Sequence, residues 1–180
     1  MRITVSGLPG SGTTSLSRYL AERHGFTMIS AGEVFRQLAR EHNMELARFG
    51  NLARQDPSYD KMIDARQKEI AQERDDIIVE GRLSGWMVDG ADLKVWLYAP
   101  IGCRIQRIAT RDNVADEKTA AALTLEREQC EADRYRSYYS IDISDLSIYH
   151  IILNSEHWGV GGLGAIIDTA IARLKPDETR

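Results

Sequence analysis

Cysteine is scarce in this chain, and its two residues, Cys103 and Cys130, fall in helical patterns without metal-like spacing. A thiol metal centre is therefore not expected, and a reducing cytoplasm suits the chain. Nor is there an apolar run long enough to span a bilayer, or a signal-peptide pattern before the first strand, so no membrane contact is expected. Net positive charge is missing too: 23 Lys and Arg stand against 27 Asp and Glu, a formal charge of −4. That removes the global basic footprint of a nucleic-acid partner, and the seven tyrosines and three tryptophans do not interleave with a basic strand pair. Internal repeats and low-complexity tracts are absent. What is present is 43% hydrophobic residues over 180 positions, enough for one well-buried core, so residues 1–180 are expected to form one domain. A monomer is the expected state, although composition does not itself decide it.

The chain alternates between two periodicities. Arg2-Ile-Thr-Val-Ser6 is short and β-branched, and runs through a glycine-rich loop into a helical stripe at Leu16, Tyr19 and Leu20 that Gly25 ends. Phe26 to Ile29 reads as a second strand, and Ser30-Ala-Gly-Glu33 has capping-box spacing ahead of a helix carrying Val34, Phe35 and Leu38. From Glu45 to Glu73 the pattern is helical, broken at Asp56-Pro57, where aspartate suits a cap and proline a first turn. Ile77 to Glu80 and Leu93 to Tyr98 are the next strands, with a helix marked by Ile101, Ile105 and Ile108 after the latter. The charge-dense stretch from about Asp112 to Tyr139 predicts a mobile helical hairpin outside the core. Tyr149 to Leu153 supplies a last strand, and Leu163, Ile166, Ile167, Ala170, Ile171 and Leu174 a closing amphipathic helix. Strands alternating with helices predict an α/β fold of three layers around a parallel sheet, with its ligand crevice at the carboxyl ends of the strands.

Three loops fall at such ends. The first, Gly7, Leu8, Pro9, Gly10, Ser11, Gly12, Thr13, Thr14 and Ser15, keeps the glycine and threonine spacing of G-x-x-x-x-G-K-[ST] between a strand and a helix. Such a loop curls so that several N–H groups meet one phosphate at a helix start, and the hydroxyl of Thr14 is offered to Mg²⁺. Thr13, however, stands where the motif places its lysine, so that point charge has to come from elsewhere. A glycine turn in an ordinary doubly wound sheet, with a dinucleotide site or none, has the same outline.

Arginines mark the other two ends. Arg36 lies one turn into the helix that Ser30 and Gly32 open, and Arg82 follows the strand ending at Glu80. A guanidinium is permanently charged and donates two parallel hydrogen bonds to phosphate. Glu80 has two readings, ordering Mg²⁺ through water or pairing with a helix cation. Arg66 shares a stripe with Tyr59, Ile63 and Ile70, which leaves it either paired with Asp64 or Glu69 or contacting a bound nucleotide. Arg104, Arg107 and Arg111, and later Arg127, Arg134 and Arg136, recur at helical spacing beside acidic residues, the usual look of a solvated face.

Taken in order, Gly-Leu-Pro-Gly-Ser-Gly-Thr-Thr14, Ile29-Ser-Ala-Gly-Glu-Val-Phe-Arg36, Asp64-Ala-Arg-Gln67, Val79-Glu-Gly-Arg82, and Arg134-Tyr-Arg136 through Ile141-Asp-Ile-Ser-Asp-Leu-Ser-Ile-Tyr149 resemble the archaeal-type cytidylate kinases, from the first strand to about Trp158. The resemblance implies a P-loop fold with a five-stranded parallel sheet, a helical insertion that binds the monophosphate at about 32–75, and a helical lid at about 112–140. It implies transfer of the γ-phosphoryl of ATP to CMP or dCMP with Mg²⁺ held by Thr14 and Glu80. Ser30, Gly32, Arg36, Arg66, Gln67 and Arg82 would bind the acceptor, and Arg82, Arg134 and Arg136 would serve catalysis. Bacterial cytidylate kinases carry aspartate where this chain has Leu83, so cytosine recognition does not transfer from that branch. Two further readings of the same residues are a kinase for AMP, UMP or a small alcohol, and a nucleotide-binding switch without turnover.

Overall fold

The computed structural model describes residues 1–45, 48–49, 52, 56, 58–112 and 116–174, apart from the side chains of 60 and 112. Five strands, β1 (Arg2–Gly7), β2 (Thr27–Ser30), β3 (Ile77–Glu80), β4 (Leu93–Tyr98) and β5 (Ile151–Asn154), form one sheet in the order β2-β3-β1-β4-β5. Every pairing is parallel. Helices cover both faces: α1 (Thr13–His24), α2 (Ala31–Glu41), α3 (Ser58–Glu73), the single turn α4 (Ser84–Met87), α5 (Ile101–Asp112), α6 (Glu117–Tyr139) and α7 (Val160–Ile171). A parallel strand pair needs a crossover, and burial on both faces is why β3 reads as the unbroken apolar run Ile77-Ile-Val79 and why Thr4 and Ser6 of β1 are buried along with Ile3 and Val5.

The period-2 geometry of a strand divides those runs between two cores. In β3, Ile78 packs with Leu16, Leu20, Leu163 and Ile167 from α1 and α7. Its neighbours Ile77 and Val79 face the other way, against Val34 and Leu38 of α2 and Ile63 of α3. The sheet is thus locked between two apolar layers, and its register is set by them. That register aligns the carboxyl ends: Val5 and Ser30 both pair with Glu80.

The α/β expectation holds, with differences at element ends. The second strand starts one residue late, and the last begins at Ile151 because Tyr149 is buried against Gly85 and Trp96 instead of continuing the ladder. Ser30 caps α2 as its spacing predicts, accepting from the Glu33 N–H at 3.1 Å. Asp56 accepts from the Ser58 N–H at 2.9 Å ahead of α3, whereas Pro57 and most of the helix expected from Glu45 lie outside the described residues.

The segment expected to be a hairpin is corrected. Asp116 caps a single 23-residue helix, α6, that ends with Ser140 at φ 56° and packs along α5. The second arm of the hairpin is therefore α5. A charge-dense helix reads as solvated when its partners are invisible, but here Ala120, Thr124 and Glu131 form a buried stripe on α6. Among the described residues no helix is long and apolar enough to cross a membrane.

Candidate active site

The glycine-rich loop leaves β1 beside Leu97 of β4 and turns tightly, the Ser11 N–H donating to the Leu8 carbonyl at 3.1 Å. Gly10 and Gly12 take φ of +81° and +94°, and Gly12 occupies the N-cap of α1 with no side-chain bond to the helix start. The free N–H groups and the positive end of the α1 dipole therefore meet at the loop, an arrangement that favours an anion. Ser11 Oγ is buried there without a hydrogen-bond partner.

Glu80, at the end of β3, closes the floor. Its Oε1 accepts from Thr13 Oγ1 at 2.6 Å and from Thr14 Oγ1 at 3.3 Å. Thr13, in the lysine position, thus spends its hydroxyl on the carboxylate and brings no cation to the loop. Gln67 of α3, 3% exposed, donates to the Glu80 carbonyl at 3.1 Å and holds the strand end from the far side. The hydroxyl of Thr14 and the carboxylate of Glu80 are hard oxygen donors facing a phosphate cradle, and this donor set fits Mg²⁺, which keeps several waters and shares substrate oxygens.

Around this floor opens a crevice of about 1080 Å³. Its walls include the loop from Leu8 to Ser15, Ser30, Gly32, Arg36, Gln67, Glu80 and Arg82. Three strand ends distant in sequence therefore converge on one space. Gly7, Arg66, Arg134 and Arg136 are not at its walls. Arg66 donates to Glu69 Oε2 at 2.6 Å, and that bond and charge raise its pKa further. Arg134 is half-buried near the end of α6, and Arg136 is exposed, with Asp133 at 3.9 Å.

Other wall residues were not legible as site residues. Arg107 and Arg111 of α5 and Arg127 of α6 sit in what reads as solvated charge runs, yet they line the crevice with Glu131, Tyr135 and Trp158. Their helical spacing was visible; the face they present was not. Glu131 is the pivot of this wall. Its buried carboxylate accepts from Nε of Arg82 and, at 2.8 Å, from Nε of Arg127. Both guanidinium groups are tethered through Nε. Burial, then the neighbouring Glu131 charge, pushes the Tyr135 phenol well above the usual tyrosine range, so it stays a neutral donor. The arrangement can cradle two anions, one on the loop and one before Arg36 and Arg82, with the buried Glu131 carboxylate aligning Arg82.

This geometry has relatives. A family model described as "Cytidylate kinase-like family" matches residues 2–157. A curated cytidylate kinase from Methanoregula boonei is 75% identical over 175 residues, covering 97% of this chain and 96% of that protein. Another, from Methanosphaerula palustris, is 65% identical over 175 residues, covering 97% and 99%. Among solved structures, the shikimate kinase from Bacteroides thetaiotaomicron superposes with a TM-score of 0.67 over 96% of this chain and 98% of its own, at 11% identity, a likeness of fold alone. The family match spans every strand of the sheet and all three loops that wall the crevice, and on that extent the chain belongs to the cytidylate kinase-like family.

Proposed function

We propose that this protein is a nucleoside-monophosphate kinase that transfers the γ-phosphoryl of ATP to CMP or dCMP, giving ADP and CDP or dCDP. One observation carries the reading: the phosphate loop, the start of α2 with Arg36, and the β3 exit with Arg82 share a single crevice. The loop takes the donor phosphates, and Arg36 and Arg82 take the acceptor phosphate. An acceptor phosphate oxygen then attacks the γ-phosphorus in line while the bond to the β-phosphate oxygen breaks. That oxygen needs no base to remove a proton, so catalysis is positioning and neutralisation of spreading negative charge. Mg²⁺ entering with ATP would be held by Thr14 directly and Glu80 through water, and supplies further neutralisation of the phosphates.

With Thr13 in the loop, the cation near the outer phosphates comes from arginines. In this reading Arg134 and Arg136 approach as the lid at about 112–140 closes over the crevice, while α2 and α3, which make up most of the insertion at about 32–75, grip the monophosphate, with Ser30, Gly32, Arg66 and Gln67 on its side. The protein works as a cytoplasmic monomer with ATP and the monophosphate as its partners.

The test is ADP formation from ATP with CMP, dCMP, UMP and AMP in turn. CMP is expected to be the best acceptor. AMP turned over as fast or faster overturns the substrate assignment, and ATP binding without turnover of any monophosphate leaves only a nucleotide-binding switch. Within the panel, Arg82→Lys keeps the charge but loses the fork. It is expected to lower kcat/KM for CMP about 10–100-fold, the worth of one to two charge-assisted hydrogen bonds. Wild-type values in that variant remove Arg82 from the acceptor site.

A further inference from the structure

Arg104 has no part in the chemistry above. It is not at the crevice wall, and its side chain is 7% exposed. A buried guanidinium must find acceptors for its donors, and those found here belong to three separate parts of the fold. Nε donates to the Ala99 carbonyl at 3.0 Å, where β4 gives way to α5. Nη1 donates to the Pro9 carbonyl of the phosphate loop at 3.2 Å. Nη1 and Nη2 also meet the two carboxylate oxygens of Glu128 on α6, the Nη2 bond at 3.4 Å. The backbone of Arg104 touches the same loop, since a Cβ on Gly10 would lie 2.6 Å from the Arg104 carbonyl oxygen.

The neighbouring loop carbonyls are held in the same way. Arg107 Nη1 donates to Gly10 O at 3.3 Å, and Ser155 Oγ to Ser11 O at 2.6 Å. Three successive carbonyls, Pro9, Gly10 and Ser11, are thus bound from outside the loop. In a planar trans peptide the N–H opposes the C=O, so fixing the Pro9 and Ser11 carbonyls aims the N–H groups of Gly10 and Gly12 the other way. Of the three braces, Arg107 and Ser155 also line the crevice, whereas Arg104 reaches α6 instead.

We propose that Arg104 and Glu128 are positioning residues that couple the seat of α6 to the anion-binding geometry of the phosphate loop. A buried ion pair adds little net stability by itself; its value here lies in what it joins. When Glu128 holds the guanidinium, the Pro9 carbonyl is held with it. By linkage, ATP on the loop then steadies α6, and a loosened α6 weakens ATP binding. The inference rests on the kinase reading only for the identity of the donor nucleotide.

The experiment compares Arg104→Lys, Glu128→Gln and the double variant by calorimetric titration with ATP and separately with CMP, alongside amide hydrogen exchange of α6. Each single change is expected to weaken ATP binding about tenfold, within the usual range of coupling between sites. CMP binding is expected to stay at the wild-type level. The double variant should be no worse than the weaker single, because both changes cut one connection. ATP should slow exchange along α6 in the wild type and not in Glu128→Gln. Wild-type ATP affinity in the folded variants, losses that multiply in the double variant, or a parallel loss of CMP affinity overturns the proposal. If Arg104→Lys does not fold, Glu128→Gln decides alone, since it keeps the Arg104 side chain and removes only the charge that holds its guanidinium against Pro9. A wild type that binds ATP but makes no CDP defeats the kinase reading while these titrations still judge the coupling.

Discussion

Gly10 and Gly12 both take a left-handed backbone, yet they tolerate a side chain to different degrees. A Cβ on Gly12 meets nothing within 4 Å, so Gly12→Ala costs only backbone strain, about 1–2 kcal/mol. Gly10→Ala adds a collision with the backbone of α5 at Arg104, and overpacking adds about 1–3 kcal/mol more. Denaturant unfolding of the two variants should rank them in that order, with ATP binding lost first in Gly10→Ala; equal effects would mean that α5 does not support the loop. At the same scale, Glu80→Gln keeps the shape of the acceptor for Thr13 and Thr14 but removes its charge. A kcat lower by about 10–100-fold and a higher Mg²⁺ requirement are expected, as for other groups that orient a metal site. A magnesium titration of the rate that matches the wild type removes Glu80 from that role.

Elements meet where small residues allow it. Gly164 of α7 lies so close to α1 that a Cβ would sit 2.2 Å from Cε1 of Tyr19, and Asp168, one turn further on, accepts from Arg23 at 2.5 Å and lies 2.8 Å from the His24 ring nitrogen. Gly164→Ala is expected to destabilise the protein by about 1–3 kcal/mol through overpacking. Trimming the opposing ring with Tyr19→Leu should recover part of the loss in a double-mutant cycle followed by thermal melting; a cycle without coupling would deny the contact. The helices also show how far periodicity reaches. For α2, the run Val34, Phe35 and Leu38 and the Ser30 cap located the element and its inward face, because cap and stripe are local. For α6 the same reasoning failed to name a face, since its buried positions include Thr124 and Glu131, which are polar. Glu131 is inside only because Arg82 and Arg127 meet it there.

The whole molecule contributes a pH dependence of its own. Tyr149 is 8% exposed beneath the corner that carries Arg82, and burial pushes its phenol up to about 12 from the ordinary 10.0. A folded pKa above the unfolded one means that the native state holds the proton longer. The stability is fully present below pH 10 and is lost as pH rises through 12, about 3 kcal/mol at most. Tyr149→Phe cannot ionise, so its melting temperature should fall less than that of the wild type across this window; identical falls would mean that the phenol is not held neutral by burial. Residue order alone determined the alternation of strands and helices, the phosphate loop and its missing lysine, and Arg36 and Arg82 at strand ends, because each depends on neighbours a few positions apart. Only the tertiary structure decided which arginines face the crevice, which are tied by carboxylates, and that Arg104 is buried under the loop instead of solvated. Arg104 and Pro9 are 95 residues apart and Arg82 and Glu131 are 49 apart, and helical spacing specifies a direction around an axis but not what waits there. The glycine-rich loop was therefore readable in one dimension, while the braces and cations that complete it exist only once β1, β3, β4 and α6 are brought side by side.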